Sequence, residues 1–131
     1  MNLVARSYGE THLKAGDHIL ITIAEHHSNL VTWQRVAQKT GATLDYIYVD
    51  KETGRFPEEE LKKIDDPRVK LFAFAEVSNV LGIDFDPKPL IQRAHAHGAI
   101  VVLDGAQSTP HKPVDVQDLD CDFFAVSGHK M

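Results

Sequence analysis

The sequence predicts an α/β fold, a mostly parallel sheet with helices on both faces, and three observations carry that expectation. Five short runs rich in β-branched and aromatic residues recur along the 131 residues, at 19–23, 44–49, 69–75, 100–103 and 123–126, each of strand length. The first, Ile19-Leu20-Ile21-Thr22-Ile23, is a continuous rather than alternating run, as in a strand buried on both faces. The stretches between the runs mostly carry helical spacing with start and stop signals, which predicts right-handed βαβ units.

In chain order, residues 1–12 are weakly helical and end in the polar turn Lys14-Ala15-Gly16-Asp17 before the first strand. That strand points at Glu25-His26-His27-Ser28-Asn29. Asn29 is the expected N-cap of a helix from Leu30 to Lys39, with Leu30, Trp33, Val36 and Ala37 on one face and Gly41 closing it. The strand Leu44–Val49 leads into the turn residues Asp50–Gly54, and Pro57 is expected at the first position of a short helix. Its three leading glutamates and trailing Lys62-Lys63 match the helix dipole and form a solvated face. Val69–Ala75 is the third strand and ends at Glu76-Val77-Ser78-Asn79-Val80-Leu81-Gly82. Asp86-Pro87 starts a helix stopped by Gly98, and Ile100–Leu103 delivers Asp104. A connection punctuated by Pro110, Pro113 and Asp115 reaches Phe123–Val126, which delivers Ser127 to Lys130.

Composition narrows the function classes. Hydrophobic residues at 43% and charged residues at 25% are ordinary for a soluble globular chain with one core. A formal charge of -5, with no gathering of Lys and Arg, argues against nucleic acid. No apolar run is long enough for a membrane span, no basic-then-apolar leader opens the chain, and a cytoplasmic location is expected. The single cysteine, Cys121, excludes an internal disulfide and stands between Asp120 and Asp122, which disfavour a thiolate, so it reads as a partly buried structural thiol. His95 and His97 lie two apart on a helix and point to different sides, so they do not chelate one ion, and zinc is rejected.

Ligand sites of open α/β sheets lie outside the carboxyl ends of the strands. Two of those ends, Asp104-Gly105-Ala106-Gln107 and Ser127-Gly128-His129-Lys130, aim an acid, an amide, a hydroxyl, an imidazole and an amine at one crevice. That set suits pyridoxal 5′-phosphate (PLP), which needs a lysine for its Schiff base and an acid to keep the pyridine nitrogen protonated. Lys130 is the expected lysine and Asp104 the expected acid. Ser127 and His129 are placed to hold the phosphate. Gln107 is placed to donate to the ring's phenolic oxygen if the chain turns into a helix there.

D-G-A-Q at 104–107 and S-G-H-K at 127–130, with E-H-H-S-N at 25–29 and V-S-N-V-L-G at 77–82, resemble the class V aminotransferase family over essentially the whole chain, most closely its SUF-type cysteine desulfurases. The resemblance implies the large domain of a fold type I enzyme, the aspartate-aminotransferase type. Residues 1–131 would be a single, incomplete PLP-binding domain without its N-terminal segment and C-terminal small domain. It further implies that His26 stacks over the ring and later moves protons, and that Asn79 faces the cofactor and the substrate carboxylate. His27 is left a structural role. The implied reaction takes sulfur from L-cysteine, giving L-alanine and an enzyme-bound persulfide for iron–sulfur cluster assembly, in a homodimer that serves a sulfur-acceptor protein. The nucleophilic cysteine, a substrate-binding arginine and a threonine turn for the phosphate are not among these residues, so the chain alone is not expected to turn over.

Selenocysteine lyases, kynureninase-like hydrolases and transaminases of the same family share these motifs and remain alternatives. A Rossmann-type nucleotide binder would need a glycine-rich turn after the first strand, where this chain has Ala24-Glu25-His26-His27. A noncatalytic α/β binding module is the last alternative, and no sequence feature argues for it positively.

Overall fold

A computed structural model describes all residues, 1–131. Its centre is a five-stranded sheet of β1 (His18–Thr22), β2 (Thr43–Ile47), β3 (Val69–Ala75), β4 (Ile100–Asp104) and β5 (Phe123–Ala125). The spatial order is β2-β1-β3-β4-β5 and every pairing is parallel. The expected strands are all present, with ends shifted by a residue or two.

Alternation along the strands explains the layers, because successive side chains point to opposite faces. Leu20, Phe72, Phe74, Val101 and Leu103 face one side, where they meet Ile64 and, from helix α4 (Pro87–Ala96), Leu90, Ile91 and Ala94. Ile64 lies in the 3₁₀ turn Lys62–Asp65 that continues the short helix α3 (Glu58–Leu61). Ile19, Ile21, Leu71, Ala73 and Val102 face the other side, against Trp33 and Val36 of α2 (Val31–Thr40) and Ala5 of α1, residues 2–12. Both faces are therefore covered, as expected, and every β3 residue except Lys70 is buried. The first helix has a π-helical middle, Ala5–Gly9. No helix is long and apolar enough to cross a membrane.

Local signals hold in part. Asp86 caps α4 by accepting the Lys88 N–H, and Pro87 follows at the first helical position. Gly41 takes the left-handed conformation (φ 80°) that closes α2 and bonds its N–H to the Ala37 carbonyl. Pro57 instead caps α3 from an extended conformation, one residue outside it.

Asn29 is not the cap of α2. It sits in a 3₁₀ turn, His27–Asn29, fully buried, and its amide is engaged by Glu25 and Trp33. Leu30 takes the cap position with no side-chain bond. The proline-punctuated connection also holds a short helix, α5 (Val116–Leu119), capped by Asp115 and stopped at Asp120 with φ 59°.

Phe72 is fully buried and stacks on Phe74 at 4.6 Å between ring centroids. Phe72→Ala is therefore expected to cost about 3–5 kcal/mol, read as a lower urea midpoint with an unchanged slope. A loss below about 1 kcal/mol would mean that the central strand is not packed as described.

Candidate active site

Strand order fixes where ligands can sit. The chain leaves β1 for β2 on one side and returns to build β3, β4 and β5 on the other, so connections part at the β1/β3 boundary and open a crevice beyond the strand ends. A cavity of about 450 Å³ lies there, within the range of small-molecule sites.

His26, Asn79, Asp104, Gln107, Ser127, His129 and Lys130 all line this one cavity. They arrive from four strand ends. His26 follows β1, and its Nδ1 accepts the Ser28 N–H at 3.1 Å, with the Ser28 hydroxyl at 2.9 Å. The neutral ring therefore carries its proton on Nε2. Asn79 is exposed on the loop after β3, which the Val77–Asp84 bridge closes. Asp104 ends β4, buried, and its Oδ1 accepts the Ala106 N–H at 3.0 Å. Lys130 is half-buried in a 3₁₀ turn, Gly128–Lys130, whose Lys130 N–H returns to the Ser127 carbonyl at 2.9 Å. His129 is exposed in the same turn.

Gln107 reaches the cavity although the chain does not turn into a helix there. Residues 106–111 form consecutive turns, with two separate i→i−4 bonds, Thr109 N–H to Gly105 and Lys112 N–H to Ser108, in place of a continuous helix. Pro110 explains the arrest, since it lacks an N–H and disfavours helical geometry in the residue before it.

Two tight packing features hold the strand ends in place. A Cβ on Gly105 would lie 2.0 Å from Cζ of Phe124, so only glycine lets β4 leave the sheet beside β5. Ser78 is buried, donates to the Ala24 carbonyl at 3.1 Å and accepts the Leu81 N–H at 3.1 Å, tying the Asn79 loop to the exit of β1.

Glu25 is a further buried group beside the site, with no role evident from the sequence. This carboxyl is buried behind the cavity wall and accepts hydrogen bonds from the Thr22 hydroxyl, the Asn29 amide at 2.7 Å and the Ala75 N–H at 3.1 Å. Burial pushes its pKa from 4.5 up to about 7; the Thr22, Asn29 and Ala75 bonds oppose the rise and the Asp104 charge adds to it. Thr22 and Asn29 at i−3 and i+4 were the available signal, an acid at a strand exit with donors on both sides. Cys121 is half-buried, and burial, reinforced by Asp122, Glu76 and Asp120, raises its thiol pKa, which makes it a poor nucleophile. No group of three metal-ligating side chains occurs.

The residues present fit PLP chemically. The buried carboxylate of Asp104 has one hydrogen bond within the chain and can accept a second from a ring nitrogen. Lys130 offers an amine, Ser127 and His129 offer donors to an anion, and His26 offers a flat face.

Two outcomes follow from this geometry. Because the folded Glu25 holds its proton more tightly than the unfolded chain does, its contribution to stability is full below pH 4.5 and is lost as pH rises through about 7. The loss amounts to about 3 kcal/mol. Glu25→Gln should flatten that decline in chemical denaturation series; an unchanged slope would place the buried charge elsewhere. Gly105→Ala should destabilise the chain by about 1–3 kcal/mol through overpacking against Phe124, whereas a neutral result would mean that β4 and β5 are not so close.

Comparison with known proteins agrees with the fold. A probable cysteine desulfurase of Halalkalibacterium halodurans is 52% identical over all 131 residues, which make up 32% of its length. The solved cysteine desulfurase CsdA of Escherichia coli superposes with a TM-score of 0.91 at 42% identity, over 98% of this chain and 32% of that one. The apo cysteine desulfurase of Thermococcus onnurineus gives 0.87 at 40% identity, over 98% of this chain and 31% of its own. The chain thus spans between about a fifth and a third of the length of its curated relatives. The architecture is that of the fold type I cysteine desulfurases, and, with the aminotransferase class-V model matched across residues 1–131, the chain belongs to that family.

Proposed function

We propose that the chain is the cofactor-holding core of a PLP-dependent cysteine desulfurase, and the observation that carries this is the convergence of an acid, an amine and phosphate-suited donors on one cavity. When bound, PLP supplies an aldehyde for covalent attachment and a ring that withdraws electrons from the substrate's α-carbon. Asp104 holds a proton at the ring nitrogen, supported by its burial at the sheet's edge of the cavity. Ser127 and His129 bind the phosphate, and Gln107 donates to the phenolic oxygen. Lys130 Nζ would hold the aldehyde and, when free, would move a proton at the substrate's α-carbon. His26 covers one face of the ring and relays a proton through Nε2, since Nδ1 is committed to Ser28. Asn79, on its anchored loop, orients the substrate carboxylate.

The whole protein's reaction in this reading is removal of sulfur from L-cysteine, giving L-alanine and a persulfide on an enzyme cysteine. Cys121 is a poor choice for that cysteine, because its thiol is held up in pKa and it does not line the cavity. The nucleophile in this reading, with the substrate arginine and the threonine turn for the phosphate, is assigned to parts of the parent outside residues 1–131, which cover 32% of the Halalkalibacterium relative. The parent is a cytoplasmic homodimer that passes sulfur to an acceptor protein.

Purified chain mixed with PLP should develop a visible absorption band, and borohydride should then fix the cofactor on Lys130, located by peptide mapping. Lys130→Ala should abolish the fixed adduct and reduce the band to that of free PLP. A folded chain that gives no adduct, or gives it equally on other lysines, would contradict the assignment.

A further inference from the structure

Glu25 has no place in the chemistry assigned above, yet it is buried and engaged by three donors from three parts of the chain. Its Oε1 accepts the N–H of Ala75, a residue of the cavity wall that pairs with Asp104 in the β3–β4 register. Thr22 on β1 and Asn29 before α2 complete its surroundings, and Asn29 is itself locked by the Trp33 indole N–H at 2.7 Å. None of those partners carries a charge. The Asp104 charge adds to the rise in the Glu25 pKa, as the smallest contribution after burial and the three hydrogen bonds. Two carboxyls thus lie behind one wall, one open to the cavity and one closed off from it.

We propose that Glu25 is a positioning residue whose proton is traded against the positive charge of a ring seated on Asp104. The inference rests on the reading of the cavity as a PLP site. While Asp104 is ionised and unpaired, its charge opposes ionisation of Glu25. A protonated ring nitrogen against Asp104 cancels that charge, so Glu25 gives up its proton more readily. By linkage, an ionised Glu25 strengthens the hold on the cationic ring by the same factor. Cofactor retention then rises with pH through neutrality. The Ala75 bond meanwhile keeps the wall beside Asp104 in place.

The test uses pyridoxamine 5′-phosphate, which has the ring nitrogen and phosphate of PLP but no aldehyde, so Lys130 forms no bond to it. The Glu25 side-chain carboxyl is followed by carbon-13 NMR across pH, without and with saturating probe, while the phosphorus signal reports binding. The expected result is a midpoint near neutrality that falls by about half a unit or more when the probe is bound. In Asp104→Asn the midpoint should lie lower from the start and no longer respond. In Glu25→Gln the probe's affinity should lose about a threefold increase between roughly pH 6 and pH 8 that the parent chain shows. A Glu25 midpoint that stays put while the phosphorus signal shows bound probe would overturn the inference and leave the cofactor reading standing. A folded chain that does not bind the probe would overturn both.

Discussion

The side-by-side register of Ala75, Asp104 and Ala125 is the constraint on which the rest depends. Parallel pairing brings the carboxyl ends of β3, β4 and β5 to one level, so that each following loop starts beside its neighbour. A slip of one residue would turn Asp104 to the opposite face and exchange the two cores. The buried aliphatic and aromatic rows on both faces prevent that slip, because Phe72 and Phe74 cannot trade places with Leu71 and Ala73 without emptying one core and overfilling the other. Apolar packing therefore sets the position of a carboxylate.

Around that register the strand exits are fastened by polar groups. Glu25 ties β1 to β3 through Ala75, Ser78 ties the Asn79 loop back to Ala24, and Lys112 reaches from the β4–β5 connection to Glu76 and Asp84. Each bond joins segments that end or follow different strands. The carboxyl among them, Glu25, has its pKa pushed up to about 7 by burial, which sets this wall apart from an apolar one.

Most of the fold and much of the site were legible in the sequence, for physical reasons. Apolar runs such as Ile100–Leu103 announce buried parallel strands, and the polar residues that follow such a run face the crevice, which is how Asp104 and the stretch from Ser127 to Lys130 stand out. His26 and Asn79 were less visible from chemistry alone, since a loop histidine or asparagine equally serves a turn, and the family resemblance pointed to them. Asn29 misled because an asparagine before a helix usually caps it. Tertiary partners outbid the local cap: its amide bridges Glu25 and Trp33 instead. Glu25 and Ser78 have local partners, Thr22 and Asn29 for the one and Leu81 for the other, but the contacts with Ala75 and Ala24 that join them to other strands lie about fifty residues away, beyond any local pattern. The arrest of a helix at Gln107 could have been read from Pro110, three residues on.

The central claim is that one cavity presents Asp104 and Lys130 to the same ring, and a crystal structure of the chain grown with PLP tests it most directly. The account predicts the ring nitrogen within hydrogen-bond distance of the Asp104 carboxylate, continuous density from the Lys130 amine to the cofactor, and the phosphate beside Ser127 and His129. A cofactor seated elsewhere, or a ring nitrogen facing solvent while Asp104 keeps only its bond to Ala106, would contradict it.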